Sequence, residues 1–360
     1  IKEIELRTIH LPLVRPFRTS FGTQTARELV VIRVTNEKGT VGWAENVAMS
    51  EPLYSPEYVA ASIDLTKRFL IPKLFSVEEF RAEDVAELLA PYLGAPMAKA
   101  ALETAILDAQ LRDENRSLAN YLGAVKDKVE CGVSVGIAPS IEQLKEEVSS
   151  YVDAGYKRIK LKIEPGWDYE PTKVIREMFP TMRLQVDANQ AYSRGDGGLL
   201  ARLDEFDLLL IEQPLDEHDV LGHAELAKKV KTPICLDESI ISLQSAVDAL
   251  ALKATTVINI KPGRVGGYIE SVKIHDLCVA NKIPVWCGGM LETGIGRSAN
   301  LALAAMPGFT LPGDTSASSR YFKTDVTDPF IMKDGYIDVP KGPGIGVTPH
   351  MDFLDEITTY

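Results

Sequence analysis

Five ionisable residues recur at an almost constant interval: Lys162, Asp187, Glu212, Asp237 and Lys261, separated by 25, 25, 25 and 24 residues. Each closes a short apolar run of strand type: Arg158–Lys162, Arg183–Asp187, Leu208–Glu212, Pro233–Asp237 and Val257–Lys261. The interval holds one strand, one helix and two connections, the unit of a β/α repeat. When such units close into a ring of parallel strands, the C-terminal strand ends meet at one mouth. The beat therefore predicts that three carboxylates and two lysines converge there.

Three further strands are expected, at Cys131–Ile137, Pro284–Gly289 and Phe309–Gly313, which makes eight. Between strands lie amphipathic segments such as Ile141–Ala154 and Ser242–Lys253. Residues 1–125 read differently, with strands first and helices after, which predicts a separate α+β unit. There Ile4–Leu11 marks a first strand, and Glu28–Thr35 and Thr40–Glu45 flank the hairpin signal Asn36-Glu37-Lys38-Gly39. Ser76, with Glu79 three residues on, predicts a helix start running to Ala90. Pro96 predicts the start of another, through Met97–Arg112. Residues 126–321 would form the barrel. Residues 322–360, rich in loop formers, would return to the first unit.

The net charge of −12 argues against nucleic acid as a partner. No apolar run reaches the length of a membrane helix. Lys2, Glu3, Glu5 and Arg7 read unlike a secretory leader. The four cysteines form no C-x-x-C pair, so buried thiols and a cytoplasmic setting are expected.

Asp187, Glu212 and Asp237 offer hard carboxylate oxygen, which suits Mg²⁺, or Mn²⁺, better than zinc. Three acids crowded together would need such an ion to neutralise them. Glu238 competes with Asp237 as ligand, but strand alternation puts it on the opposite face. Alternation also places Lys160 and Lys162 on one side, with Ile159, Leu161 and Ile163 on the other. Paired cations beside a metal would depress each other's pKa and turn a lysine into a general base. Lys261 follows four strands later, half of an eight-stranded ring, so Lys162 and Lys261 should face each other. A carboxylate substrate held between them would lose its α-hydrogen to one lysine and regain a proton from the other. Loss of a β-leaving group would instead give elimination.

The set Lys160-Leu161-Lys162, Asp187, Glu212, Asp237 and Lys261 resembles the muconate-lactonising-enzyme subgroup of the enolase superfamily, in which a Lys base works with Mg²⁺. A closer resemblance is to the o-succinylbenzoate synthase / N-succinylamino acid racemase family. It rests on Lys162-Ile-Glu-Pro-Gly-Trp-Asp168, Val186-Asp-Ala-Asn189, Ile211-Glu-Gln-Pro214, Cys235-Leu-Asp-Glu-Ser239, Ile260-Lys-Pro-Gly-Arg-Val-Gly-Gly267 and Trp286-Cys-Gly-Gly-Met-Leu-Glu-Thr-Gly294.

The resemblance implies a modified TIM barrel, (β/α)7β, under an α+β capping domain, and a small-molecule carboxylate substrate carrying a succinyl group. It implies loops at Pro16–Phe21 and Met49–Tyr54 that close over the site, with Phe17, Phe21 and Tyr54 as an apolar lid. Ser134, Asn189, Met290 and Leu291 match pocket-lining positions, and Gly288-Gly289 would let backbone approach the ligand. A homo-oligomer is expected. Asp314-Thr315-Ser316 departs from the Asp-x-Asp of dipeptide epimerases, which favours an N-acylated substrate. Arg264, if it points into the mouth, would lower the pKa of Lys261 and favour racemisation over elimination.

The expected activity is racemisation of N-succinylamino acids, with dehydration to o-succinylbenzoate alongside. A dedicated synthase is the alternative, ahead of a dipeptide epimerase or muconate cycloisomerase. A Schiff-base aldolase would leave the three strand-end acids unexplained. A non-catalytic barrel would leave the whole set unexplained.

Overall fold

The computed structural model describes residues 1–359; Tyr360, the last residue of the expected third segment, lies outside them. Three strands open the chain: β1 (Glu3–Thr19), β2 (Gly22–Thr35) and β3 (Val41–Asn46), paired antiparallel in sequence order. The expected first strand is extended by eight residues beyond Leu11. After a register shift between Pro12 and Phe17, β1 pairs again, Phe17 opposite Gln24 and Thr19 opposite Gly22. The loop expected at Pro16–Phe21 is therefore mostly strand, with a tight turn at Ser20 and Phe21.

The helix Pro96–Asp113 packs against β3, with proline in its first turn. It is buried around most of its circumference. Three of its acids or their neighbours bind backbone N–H groups elsewhere. Glu103 accepts from Ile269, Asp108 from Trp43 and Ile345, and Glu57 caps the helix start through Met97 and Ala98. Buried carboxylates need such partners. The helix expected from Ser76 does not begin there. Ser76 closes the preceding helix, Ile71–Phe75, and its hydroxyl donates to the Lys73 carbonyl. Helix resumes only at Ala82–Asp84 and Val85–Leu89, because Asp84 bonds back to the N–H of Arg81.

After a short strand, β4 (Lys128–Glu130), the barrel begins. Its strands are β5 (Gly132–Val135), β6 (Arg158–Lys162), β7 (Leu184–Asp187), β8 (Ile211–Glu212), β9 (Ile234–Leu236), β10 (Val257–Ile260) and β11 (Val285–Cys287). They form one parallel sheet in sequence order. The expected eighth strand is reduced to two isolated bridges, Val285 to Phe309 and Cys131 to Gly313. Side chains close the gap in its place. Arg158 is wholly buried there and bonds Asp314, the Pro312 carbonyl and the Val133 carbonyl.

Alternation within the buried strands decides what enters the bore. Ile159 and Leu161 face the surrounding helices, while Arg158, Lys160 and Lys162 face inward. Lower down, Leu210, Cys235, Val257 and Trp286 fill the bore as an apolar plug. The Trp286 ring lies under two cations, 5.2 Å from Arg158 and 4.7 Å from the Lys160 ammonium. The tail first adds β12 (Tyr336–Asp338) to β4. It ends in β13 (Thr358–Thr359), antiparallel to β1 with Thr8 opposite Thr359. All four cysteines are buried free thiols. No helix of the described residues is long and apolar enough to cross a membrane.

Candidate active site

Parallel pairing sets Lys162 beside Asp187 and Asp187 beside Glu212 at the strand ends. The Lys162 ammonium donates to Asp187 Oδ2 at 2.7 Å and also to Asn189 Oδ1. Lys261, just past β10, donates to Asp237 Oδ2 at 2.8 Å. Lys160 lies deeper, 2.8 Å from Asp314 Oδ2, 3.0 Å from Glu212 Oε2 and 3.3 Å from Asp187 Oδ2. Asn259 donates to Glu212 Oε1 at 2.9 Å. All these side chains are buried, that of Asp314 with 7% of its area exposed.

One cavity has Lys160, Lys162 and Lys261 in its wall together with Ser134, Asn189, Met290, Leu291, Phe17, Phe21 and Tyr54. The capping unit reaches it twice. At the β1–β2 turn, the Ser20 hydroxyl donates to the carbonyls of Ala188 and Asn189. Tyr54 comes from the second cap segment, and its ring packs 6.2 Å from Phe21. Tyr54 is more than an apolar lid, however. Its hydroxyl accepts from Lys261 at 3.1 Å and Arg264 at 3.3 Å, and lies 3.4 Å from Asp237.

Arg264 is buried, but its ion partner is Asp237, not a surface acid. It also donates to the carbonyls of Ile240 and Asn259 at 2.7 and 2.6 Å. Its influence on Lys261 thus runs through Asp237 and Tyr54. Gly288 is required by a protein neighbour, not a ligand: a Cβ there would stand 2.3 Å from Asn259 Oδ1. Four non-glycine residues of the loops at this mouth, Asn189, Gln190, Gln213 and Leu291, adopt left-handed backbone with φ of 41°, 68°, 36° and 57°. Strain of this kind gathers at functional loops.

The protein's own charges do not supply the expected depression of the lysine pKa values; at two of the three they act the other way. Burial lowers Lys160, but Asp314, Glu212 and Asp187 together hold it above the ordinary lysine range. Burial likewise lowers Lys261, and Tyr54, Glu238 and Glu212 outweigh it. Carboxylates outnumber ammonium groups around each. Burial pushes Asp187 up, yet Lys162 and Lys160 hold it below the usual carboxylate range. Glu212 is raised, by burial first and then by Asp187.

Three residues of the site escaped the sequence reading. Glu238 was assigned to the far face, but β9 ends at Leu236 and alternation ends with it. Its carboxyl turns inward and accepts from Asn189 at 2.8 Å, and burial followed by Asp187 raises its pKa to about 7. Asp314, read only as a departure from Asp-x-Asp, is bonded by both Arg158 and Lys160. Arg27, on β2, also lines the cavity; a cation on a capping strand carries no local signal of that position.

The donor set fits a hard divalent cation. Glu212 Oε2, Asp237 Oδ1 and Glu238 Oε2 are buried carboxylate oxygens that receive no hydrogen bond. Among the described residues no three acids stand gathered as a finished cage. Lys160 and Arg264 lie against two of these oxygens as ionic neighbours.

The fold and the mouth together define a capped β/α barrel of the enolase type. Residues 3–123 match the profile of the mandelate racemase / muconate lactonizing enzyme N-terminal domain, and residues 143–353 that of the enolase C-terminal domain-like family. The chain is 58% identical to an N-succinylamino acid racemase of Amycolatopsis, over 99% of this chain and 97% of that one. It is 45% identical to the o-succinylbenzoate synthase of Bacillus subtilis, over 100% and 97%. An enolase-superfamily structure from Listeria innocua superposes with a TM-score of 0.95 at 42% identity, over 99% of this chain and 96% of that one. The chain belongs to the N-succinylamino acid racemase / o-succinylbenzoate synthase family of the enolase superfamily.

Proposed function

We propose that this enzyme moves the α-proton of an N-succinylamino acid between two lysines, Lys162 and Lys261, and so racemises it. The observation that carries the reading is the pair of lysine–carboxylate contacts in one cavity wall, Lys162 to Asp187 and Lys261 to Asp237. Asp187, Glu212 and Asp237 would hold Mg²⁺, or Mn²⁺ in its place, and the ion would acidify the α-hydrogen of a bound carboxylate. Each lysine serves one face: the neutral one takes the α-proton from its side, and the other, protonated, delivers a proton to the opposite side, so Lys162 and Lys261 exchange roles with the enantiomer. Lys160, held as a cation by Asp314 and Glu212, offsets the charge that grows on the substrate carboxylate as the proton leaves. Ser20, Phe21 and Tyr54 keep bulk water from the exchanged proton.

Dehydration of a cyclohexadiene carboxylate to o-succinylbenzoate uses the same site. That second activity is favoured by the unequal settings of the two lysines, Lys162 among barrel residues and Lys261 tied to Asp237 and to Tyr54 of the cap. Syn elimination needs one proton-transferring lysine, Lys162, with Lys261 as a standing cation. The name of the Bacillus subtilis relative supports this activity, and that of the Amycolatopsis relative the racemase. Buried, unpaired thiols suit a cytoplasmic enzyme, and assembly as a homo-oligomer belongs to the same reading.

The test is proton NMR of N-succinyl-L- and N-succinyl-D-phenylalanine in D₂O with enzyme and Mg²⁺. Both enantiomers should lose the α-proton signal and converge on a racemate, and EDTA should abolish this. Exchange from one enantiomer alone would leave elimination as the main activity. Exchange from neither would overturn the racemase assignment.

A further inference from the structure

A cation on the cap side of the cavity makes no direct ion pair. Arg27 is 2% exposed, and its hydrogen bonds go to backbone carbonyls: Nη2 to Val47 at 2.9 Å and to Ala48 at 3.5 Å. Its Nε is buried and bonds nothing. Among the described residues it joins no ion pair. Burial disfavours its charged form, and Glu45 and Glu292 offset this only through space. A buried charge without a partner is costly and is seldom kept without one to complete it. Arg158 deep in the bore and Arg264 at the mouth each bind a carboxylate directly, and Arg297, which like Arg27 bonds only backbone carbonyls, does not line the lysine cavity.

Arg27 shares its cavity with the three lysines, while Phe21, Met49 and Met290 make much of the remaining wall apolar. A ligand with one carboxylate at the strand ends and a second on a short methylene arm would set one charge among the lysines and the other toward Arg27. A planar guanidinium is the side chain best matched to that second carboxylate.

We propose that Arg27 binds the distal carboxylate of the substrate's acyl group and so selects N-succinyl over uncharged N-acyl amino acids. This rests on the reading above, which makes N-succinylamino acids the ligands. The purely structural role, tying down the Val47–Ala48 segment, predicts no difference between charged and uncharged acyl tails.

The experiment is calorimetric titration of the Mg²⁺-loaded enzyme with N-succinylphenylalanine and with N-butanoylphenylalanine, which has the same chain length and no distal charge. A charge-assisted contact of this kind favours the succinyl ligand by ~10- to 100-fold in Kd. Arg27→Gln should bring the ratio of the two Kd values to within about threefold of one, while Arg27→Lys retains part of the preference. If Arg27→Gln does not fold, the Arg27→Lys ratio decides, since a shorter point charge must narrow it. An unchanged ratio in either folded variant, equal Kd values in the wild type, or no binding of either ligand would overturn the proposal. Preferential binding that depends on Arg27 without any α-proton exchange would uphold it and overturn the racemase reading instead.

Discussion

The two flanks of the mouth are built differently. On one side Lys162 is held by barrel residues alone, Asp187 and Asn189, both from the end of the next strand, β7. On the other, Lys261 is held by Asp237 and by Tyr54, a residue of the capping unit, and Arg264 braces both of its partners. The Lys162 flank is complete within the barrel. The Lys261 flank is complete only with the cap in place. On the proposed two-lysine reading, such a site keeps one base constant and tunes the other through the cap, as a one-base and a two-base reaction in one mouth would require.

Removing the Tyr54 hydroxyl breaks the asymmetry most directly. Tyr54→Phe should lower kcat for racemisation by ~10- to 100-fold, the value of a hydrogen bond to a charged group. Elimination to o-succinylbenzoate, which leans on Lys162, should fall less than about threefold if the flanks are independent. Arg264→Gln should act in the same direction and more weakly, costing racemisation roughly tenfold more than elimination, because it loosens Asp237 without touching Lys261. Parallel kinetics of the two activities check both variants, and equal losses would mean that the flanks are coupled.

Glu238 sharpens the comparison through stability. Its folded pKa stands at about 7 against 4.5 for the ordinary group. Between those values the folded carboxyl keeps a proton that the unfolded chain has released, so rising pH costs stability across that window and nothing further above it. Thermal melts of the metal-free enzyme in EDTA should show Glu238→Gln gaining on the wild type from pH 4.5 to 7, with the difference then constant. A difference that grows above pH 8 would contradict this.

The Lys162 flank was legible in the sequence, and the Lys261 flank only in part. Lys162, Asp187, Glu212, Asp237 and Lys261 were visible because strand periodicity and repeat length act locally, and each strand end announces itself. Even there the alternation rule misplaced Glu238, since it holds only while the strand lasts. The eighth strand was over-read. Its apolar run is present, but Arg158 and Asp314 close the barrel with side chains in place of a ladder. Ser76 looked like a cap by composition, and its hydroxyl served the helix behind it. Tyr54 was placed over the site as an apolar lid, while its hydroxyl contacts, and Arg27 altogether, depend on how the cap folds over the barrel. Contacts between units separated by well over a hundred residues leave no periodic trace.

The most direct test removes each proposed base in turn. Lys162→Ala and Lys261→Ala should each abolish racemisation of N-succinylphenylalanine in the presence of Mg²⁺. Each should still exchange the α-proton of one enantiomer with D₂O, and the two variants should retain opposite enantiomers. Retention of the same enantiomer by both, or racemisation surviving either substitution, would contradict two lysines acting on opposite faces.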